Sequence, residues 1–243
     1  MKLERVQFAV VGGGPAGLAA ARAIATRQGQ VVLLDRRPEP GGRPLWRTLH
    51  RGAAYVELPP EVVFAGGTLV WGIFEDGVLA CERGGRSFLL QAERIVLATG
   101  ARQTLPAFPG WENQAVWSLH RLLTRIDAGQ VRDVRLAAYL GTAKAAAAIG
   151  AAEEAGATLV RLIGPCAPTP DGDLYPTLAQ GGRSGLRVRC ANRAQPVAFE
   201  TETDVLIVAA GERQRTQLAH QAGCRLVFNE RVDEWIVVLG DGF

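Results

Sequence analysis

The chain of 243 residues carries 48% apolar and 21% charged side chains, ordinary values for a soluble globular protein with length enough for one large domain or two small ones. Its 27 basic and 24 acidic residues are spread along the sequence to a formal net charge of +3, with no basic block or aromatic–basic interleaving, which argues against nucleic-acid binding. Four scattered cysteines (Cys81, Cys166, Cys190, Cys224) form no Cys-x-x-Cys pair and His50, His120 and His220 lie far apart, so neither a dithiol centre nor a local metal or iron–sulfur site is expected.

The first predicted element is a strand, Val6 to Val11, which runs straight into Gly12-Gly13-Gly14-Pro15-Ala16-Gly17. An apolar run this short, broken at once by glycine and proline, is neither a signal-peptide core nor a membrane span, so a cytoplasmic protein is expected. An alanine-rich helix follows, then a second strand from Val31 to Leu34 that ends on Asp35. Strand, Gly-x-Gly-x-x-Gly turn, helix, strand and terminal acid make a complete dinucleotide-binding unit. Gly12 suits the sharp turn, Gly14 lets a pyrophosphate approach the backbone, and Gly17 lets the helix lie close on the sheet. The helix N-terminus offers free N–H groups and a partial positive charge to the phosphates. Asp35 is placed to accept ribose hydroxyls and to repel a 2′-phosphate.

Further along, Asp76-Gly77 and Gly84-Gly85 divide Thr68 to Ala92 into three strand-like runs, a β-meander. Glu93 to Gly100 is a strand buried on both faces. Arg102 to about Arg132 reads as a link between halves, with Pro106, Pro109 and a helix around Ser118 to Ile126. The opening pattern then returns: strand Val134–Leu140, turn Gly141-Thr142-Ala143-Lys144, helix Ala143–Glu154, and strand Thr158–Ile163. Thr203 to Gly211 closes the second half as Glu93 to Gly100 closes the first.

The glycine turn, Asp35-Arg36-Arg37 with Gly41-Gly42-Arg43, the meander, Ala98-Thr99-Gly100-Ala101 and the second dinucleotide-type fold occur in the order seen in FAD-dependent pyridine nucleotide-disulfide-type oxidoreductases, which this chain resembles. Val70-Trp71-Gly72, Pro106 to Trp111 and Ala222 to Leu226 are most similar to the FAD subunits of amine and imino-acid dehydrogenases built from several chains: opine oxidase, hydrogen cyanide synthase and dye-linked proline dehydrogenase. The resemblance implies an α/β chain of two Rossmann-like folds. An FAD domain with the β-meander spans 1–110, a linker 111–132, and a degenerate NAD(P)-type domain 133–243. It also implies FAD in the first half, with Gly12, Gly14, Pro15, Ala16 and Gly17 at the pyrophosphate and Asp35 at the adenosine ribose. Arg36 would flank the adenine, Gly42 and Arg43 would approach the pyrophosphate or ribityl chain, the backbone at Val70 would meet the adenine edge, and Thr99, Gly100 and Ala101 would pass beside the nucleotide.

Three departures shape the functional expectation. Ala143 puts a methyl group where a second pyrophosphate must approach, and the strand that should end on a ribose-binding acid ends on Gly164-Pro165-Cys166, which disfavours NAD(P)H. The segment from Arg43 to Thr68 is compact, so the flavin wall near Trp46 to Pro60 is thin or completed by another subunit. The return to the FAD domain is short or missing, with Asp241 either a ribityl ligand or part of a preceding turn. The leading expectation is an FAD-dependent oxidoreductase or the FAD-bearing electron-transfer subunit of an amine or imino-acid dehydrogenase complex. A compact NAD(P)H-dependent flavoprotein reductase and a non-catalytic flavin-fold scaffold are the alternatives. No catalytic acid or base is assigned, although His50 and Tyr55 lie nearest in sequence to the flavin-side segment. Partner subunits or a homo-oligomer are expected, together with a small-molecule substrate and no membrane span.

Overall fold

The computed structural model describes residues 3–42, 57–142, 144–166, 174–182, 185–231 and 234–238. These divide into two compact units, one holding the chain up to residue 102 together with residue 213 onward, the other holding 103–212.

In the first unit, strands β1 (Leu3–Val11), β2 (Val31–Asp35), β3 (Val62–Gly66), β4 (Thr68–Phe74), β5 (Val78–Arg83) and β6 (Arg86–Leu97) form a six-stranded sheet in the order β3-β2-β1-β6-β5-β4. The first three strands and the later part of β6 run parallel, with Val10 opposite both Leu33 and Val96. The earlier part of β6 pairs antiparallel with β5, and β5 with β4 across a register shift between Val70 and Gly72. The sheet is covered on both faces, which is why β1 and β2 read as nearly unbroken apolar runs. On one face Leu18, Ala21 and Ala25 of the helix Pro15–Gln28 pack on Phe8, Val10, Val31 and Leu33. On the other, the meander contributes Val70, Ile73, Leu79 and Cys81 against Ala9, Val11 and Leu34. Each fully buried branched side chain stabilises this unit by about 1.5–3 kcal/mol.

The chain leaves the first unit through β7 (Ala101–Gln103). In the second unit, β8 (Val116–Ser118), β9 (Arg135–Leu140), β10 (Thr158–Ile163) and β14 (Val205–Ala209) form a parallel sheet in the order β10-β9-β14-β8. The helix Lys144–Glu154 connects β9 to β10, and the helix Leu119–Asp127 follows β8. An antiparallel layer of β11 (Tyr175–Gly181), β12 (Leu186–Ala191) and β13 (Phe199–Thr203) packs on the other face through Leu174, Ala179, Leu186 and Val188 against Ala137, Ile163, Leu206 and Val208. The two expected Rossmann-like folds are therefore both present.

Beyond β15 (Glu212–Gln214), a helix Gln217–Gln221 and a hairpin of β16 (Leu226–Asn229) and β17 (Glu234–Val237) belong to the first unit. Leu218 packs against the core under the meander, and the Ile73 N–H donates to the Gln221 side-chain oxygen at 3.1 Å. Residues 239–243, Asp241 among them, lie outside the described residues.

These findings change the expected boundaries. Residues 103–132, expected as the end of the first domain and a linker over 111–132, belong to the second unit. Ser118 pairs with Val208, and Phe108, Val116, Leu122 and Leu123 are buried there, so this stretch is core rather than tether. The segment from residue 213, expected within a domain of 133–243, belongs to the first unit instead, tied there by Leu218 and Gln221.

Candidate dinucleotide site

Within the first unit, β1 delivers the chain into the turn at Gly12–Gly14 and the helix Pro15–Gln28 starts immediately after it. Gly12 has φ +113°, and a Cβ there would lie 2.2 Å from the Ala98 carbonyl oxygen; its N–H donates to Leu34 O at 2.8 Å. Gly17 is equally closed, since a Cβ would fall 1.7 Å from Gly12 O. The turn is thus wedged between β2 and the end of β6 with no room for side chains at these two positions.

Gly14 differs. It caps the helix in extended backbone, φ −76° and ψ −178°, which any residue adopts. Among the described residues, the nearest atom to a Cβ there is Gly42 Cα, at 4.0 Å. Internal packing therefore does not require glycine at this position, and the space beside it is open to a ligand. No side chain caps the helix and Pro15 supplies no N–H, so the N–H groups of Ala16 and Gly17 are left without intrahelical partners behind the exposed start at Pro15 and Ala16. This is the geometry of an anion site at a helix N-terminus.

Asp35 ends β2 beside the turn. One carboxylate oxygen accepts the Gly13 N–H and the other accepts the Arg37 N–H at 2.7 Å. A carboxylate offers about four acceptor positions, so these two bonds leave capacity for the hydroxyls of a ribose. Arg36 is exposed next to it, and Gly42 lies against Gly14. Arg43 lies outside the described residues, as do His50, Tyr55 and the stretch 46–56.

At the end of β6, the Ala98 N–H donates to Val11 O at 2.8 Å, which brings Thr99 alongside Gly12. Thr99 Oγ1 donates to Arg215 O at 3.0 Å, and the Arg215 N–H donates to Gly100 O at 2.9 Å. Arg215 Nε also reaches the Ala101 carbonyl at 3.4 Å. Thr99 thus lies beside the turn, and Thr99, Gly100 and Ala101 are tied to Arg215, a tether that sequence reasoning missed. Val70 belongs to the meander, with its side chain buried in the cluster that holds Ala9, Val11 and Leu34 and its backbone opposite Cys81 in the β4–β5 pair.

The corresponding turn of the second unit is built differently. The Gly141 N–H donates to Ala209 O at 2.8 Å, and a Cβ on Gly141 would meet Ala210 Cα at 2.8 Å. Ala143 lies outside the described residues. At the end of β10, Gly164 turns with φ +101° and the Cys166 N–H returns to Leu140 O at 3.0 Å. Cys166 thus lies just past the end of β10, and burial together with this neighbouring thiol raises the pKa of the Tyr139 phenol. Among the described residues there is no cluster of metal-ligating side chains and no helix long and apolar enough to cross a membrane.

Known proteins share this sequence pattern and this fold. The sequence pattern of the pyridine nucleotide-disulphide oxidoreductase family matches residues 6–160. An opine oxidase chain of Rhizobium meliloti is 30% identical over 132 residues, 44% of this chain and 25% of that protein. Its counterpart from Agrobacterium tumefaciens (strain Ach5) is 28% identical over 127 residues, 42% and 25% respectively. Among solved structures, L-proline dehydrogenase from P. horikoshii superimposes with a TM-score of 0.77 at 24% identity, covering 99% of this chain and 49% of that one. An NAD-dependent persulfide reductase from A. fulgidus gives 0.69 at 17% identity, over 91% and 49%. The chain thus spans about half the length of these solved structures, and the match covers a quarter of the curated relatives.

Proposed function

The chain belongs to the pyridine nucleotide-disulphide oxidoreductase family, and from that premise we propose that it is an FAD-dependent flavoprotein whose first unit holds the dinucleotide. The observation that carries this reading is the contrast among the three motif glycines. Gly12 and Gly17 are closed by the protein's own backbone, whereas Gly14 faces open space in front of the uncapped helix terminus. Gly12, Gly14, Pro15, Ala16 and Gly17 would hold the pyrophosphate, Asp35 the adenosine ribose and Arg36 the adenine. Gly42, Arg43, Thr99, Gly100 and Ala101 would flank the same nucleotide, with Val70 contributing backbone at the adenine edge. Bound flavin supplies reversible acceptance and release of electrons; the protein supplies position and electrostatics.

We assign the chain the role of an FAD-bearing subunit in an amine or imino-acid dehydrogenase assembly. Two relatives are named as opine oxidase subunits, and a third, similar in fold, as an L-proline dehydrogenase. The second unit supports the same assignment, since Gly164-Pro165-Cys166 stands where the acid for the adenosine ribose of NAD is expected. Electrons would then reach the flavin from a small molecule oxidised on this assembly rather than from NAD(P)H. Reconstitution tests this. The purified chain titrated with FAD should turn yellow with quenched flavin fluorescence, and NADH or NADPH should leave that colour unbleached. Rapid bleaching would make it an NAD(P)H-dependent flavoprotein reductase, and failure to take up FAD would make it a scaffold.

A further inference from the structure

The Gly41–Gly42 loop has no side chains with which to pack, yet it lies directly against the phosphate turn. The Gly41 N–H donates to Gly13 O at 2.9 Å, and Gly42, with φ +76°, is so close that a Cβ on it would lie 2.9 Å from Gly14 Cα. Two glycines lose more conformational freedom on ordering than any other pair, and no apolar burial by their own side chains offsets that loss. Hydrogen bonds must therefore hold the loop.

Besides the Gly41–Gly13 bond, the Arg37 side chain does so. Arg37 Nη1 donates to Gly42 O at 2.7 Å, a charge-assisted bond and hence stronger than a neutral one. The backbone of Arg37 is fixed on both sides: its N–H donates to Asp35 Oδ1 at 2.7 Å, and its carbonyl accepts from the Gly67 N–H at 2.9 Å. Gly67 lies between β3 and β4, and Gly66 before it leaves no space, since a Cβ there would lie 2.4 Å from Pro38 O. The guanidinium thus springs from a rigid base formed by β2 and the β3–β4 turn, and spans from the ribose end of the site to the pyrophosphate end.

We infer that Arg37 is a positioning residue of this site, holding the Gly41–Gly42 loop against the phosphate turn so that the open face of Gly14 keeps the width a pyrophosphate needs. The inference rests on the first unit binding FAD. It distinguishes Arg37 from its neighbour Arg36, which is exposed and was expected at the adenine. A bound nucleotide and the Arg37 clamp stabilise the same loop arrangement, so each strengthens the other.

The experiment compares the wild type with R37Q and R37K in two measurements: amide hydrogen exchange of the ligand-free chain by NMR, and FAD dissociation by flavin fluorescence. R37Q should speed exchange at Gly41 at least tenfold, leave Ala9 and Val10 in the β1 core unchanged, and raise the FAD Kd about tenfold. R37K, which keeps a charged donor, should recover most of both effects. Unchanged Gly41 exchange in R37Q overturns the inference. So does loosening that spreads to Ala9 and Val10, complete loss of fold, or a freed loop with unaltered FAD affinity. If the wild type takes up no FAD, the functional reading above fails, while the Gly41 exchange rate still decides whether Arg37 holds the loop.

Discussion

The carboxylate of Asp35 accepts the backbone N–H of Gly13, so the end of the second strand and the glycine turn are joined in the protein itself. The same carboxylate also accepts from Arg37. One side chain therefore sets both the turn and the base of the Gly41–Gly42 loop.

Asp35→Ala removes this acceptor from two backbone donors and, in the proposed site, from the ribose. Bonds to a charged group contribute about 1.5–3 kcal/mol each, so the FAD Kd should rise roughly 10–100-fold. Asp35→Asn, which keeps one acceptor oxygen, should fall between. Flavin fluorescence titration measures both; wild-type affinity in the alanine variant would contradict the assignment of Asp35 to the site.

Gly12→Ala and Gly17→Ala should act on folding rather than on ligand. A methyl at either place meets backbone oxygen at 2.2 or 1.7 Å, and overpacking of this kind costs about 3 kcal/mol. Urea unfolding of the ligand-free chain should show a lowered midpoint for each.

Burial pushes the Cys81 thiol from 9.0 up to about 11. Because the folded value is the higher one, its stabilising effect is complete below pH 9 and is lost as pH rises towards 11. Stability measured by denaturant should therefore fall over that window, and less steeply in Cys81→Ala. At pH 8 a thiol reagent should modify Cys166 and Cys224, which are partly exposed, and spare the buried Cys81 and Cys190.

Ser118 caps the helix Leu119–Asp127, its hydroxyl accepting the Arg121 N–H at 3.2 Å. Ser118→Ala should cost about 1 kcal/mol. Faster exchange in the β8 and β14 amides would accompany it, since Val208 pairs with Ser118; a linker residue would move neither.

The phosphate turn was legible because its chemistry is local: Gly12, Gly14, Gly17 and Asp35 stand at spacings set by one strand, one turn and one helix. The buried strands were legible for the same reason, as the five consecutive buried residues Val205–Ala209 illustrate. What escaped depends on contacts across long sequence separations. Val116–Ser118 is too short to show a period, and Pro106 and Pro109 signal a loop wherever they occur, so its place in the second sheet became visible only through its pairing with β14. Arg37, Arg215 and Gln221 act by bonding to backbone atoms of Gly42, Gly100–Ala101 and Ile73. Such bonds leave no motif, because a main-chain atom of any residue type serves equally well.

Gly14→Ala is the most direct test of the account, because it separates the ligand from the fold. The backbone at Gly14 accommodates any residue and, among the described residues, its added methyl would meet no atom closer than Gly42 Cα at 4.0 Å, so the ligand-free chain should unfold within about 1 kcal/mol of the wild type, the size of a helix-cap effect. FAD affinity, measured on the same preparation by fluorescence titration, should fall at least 100-fold. A Gly14→Ala chain that folds normally and binds FAD as tightly as the wild type would contradict the claim that the uncapped terminus of the helix Pro15–Gln28 holds the pyrophosphate.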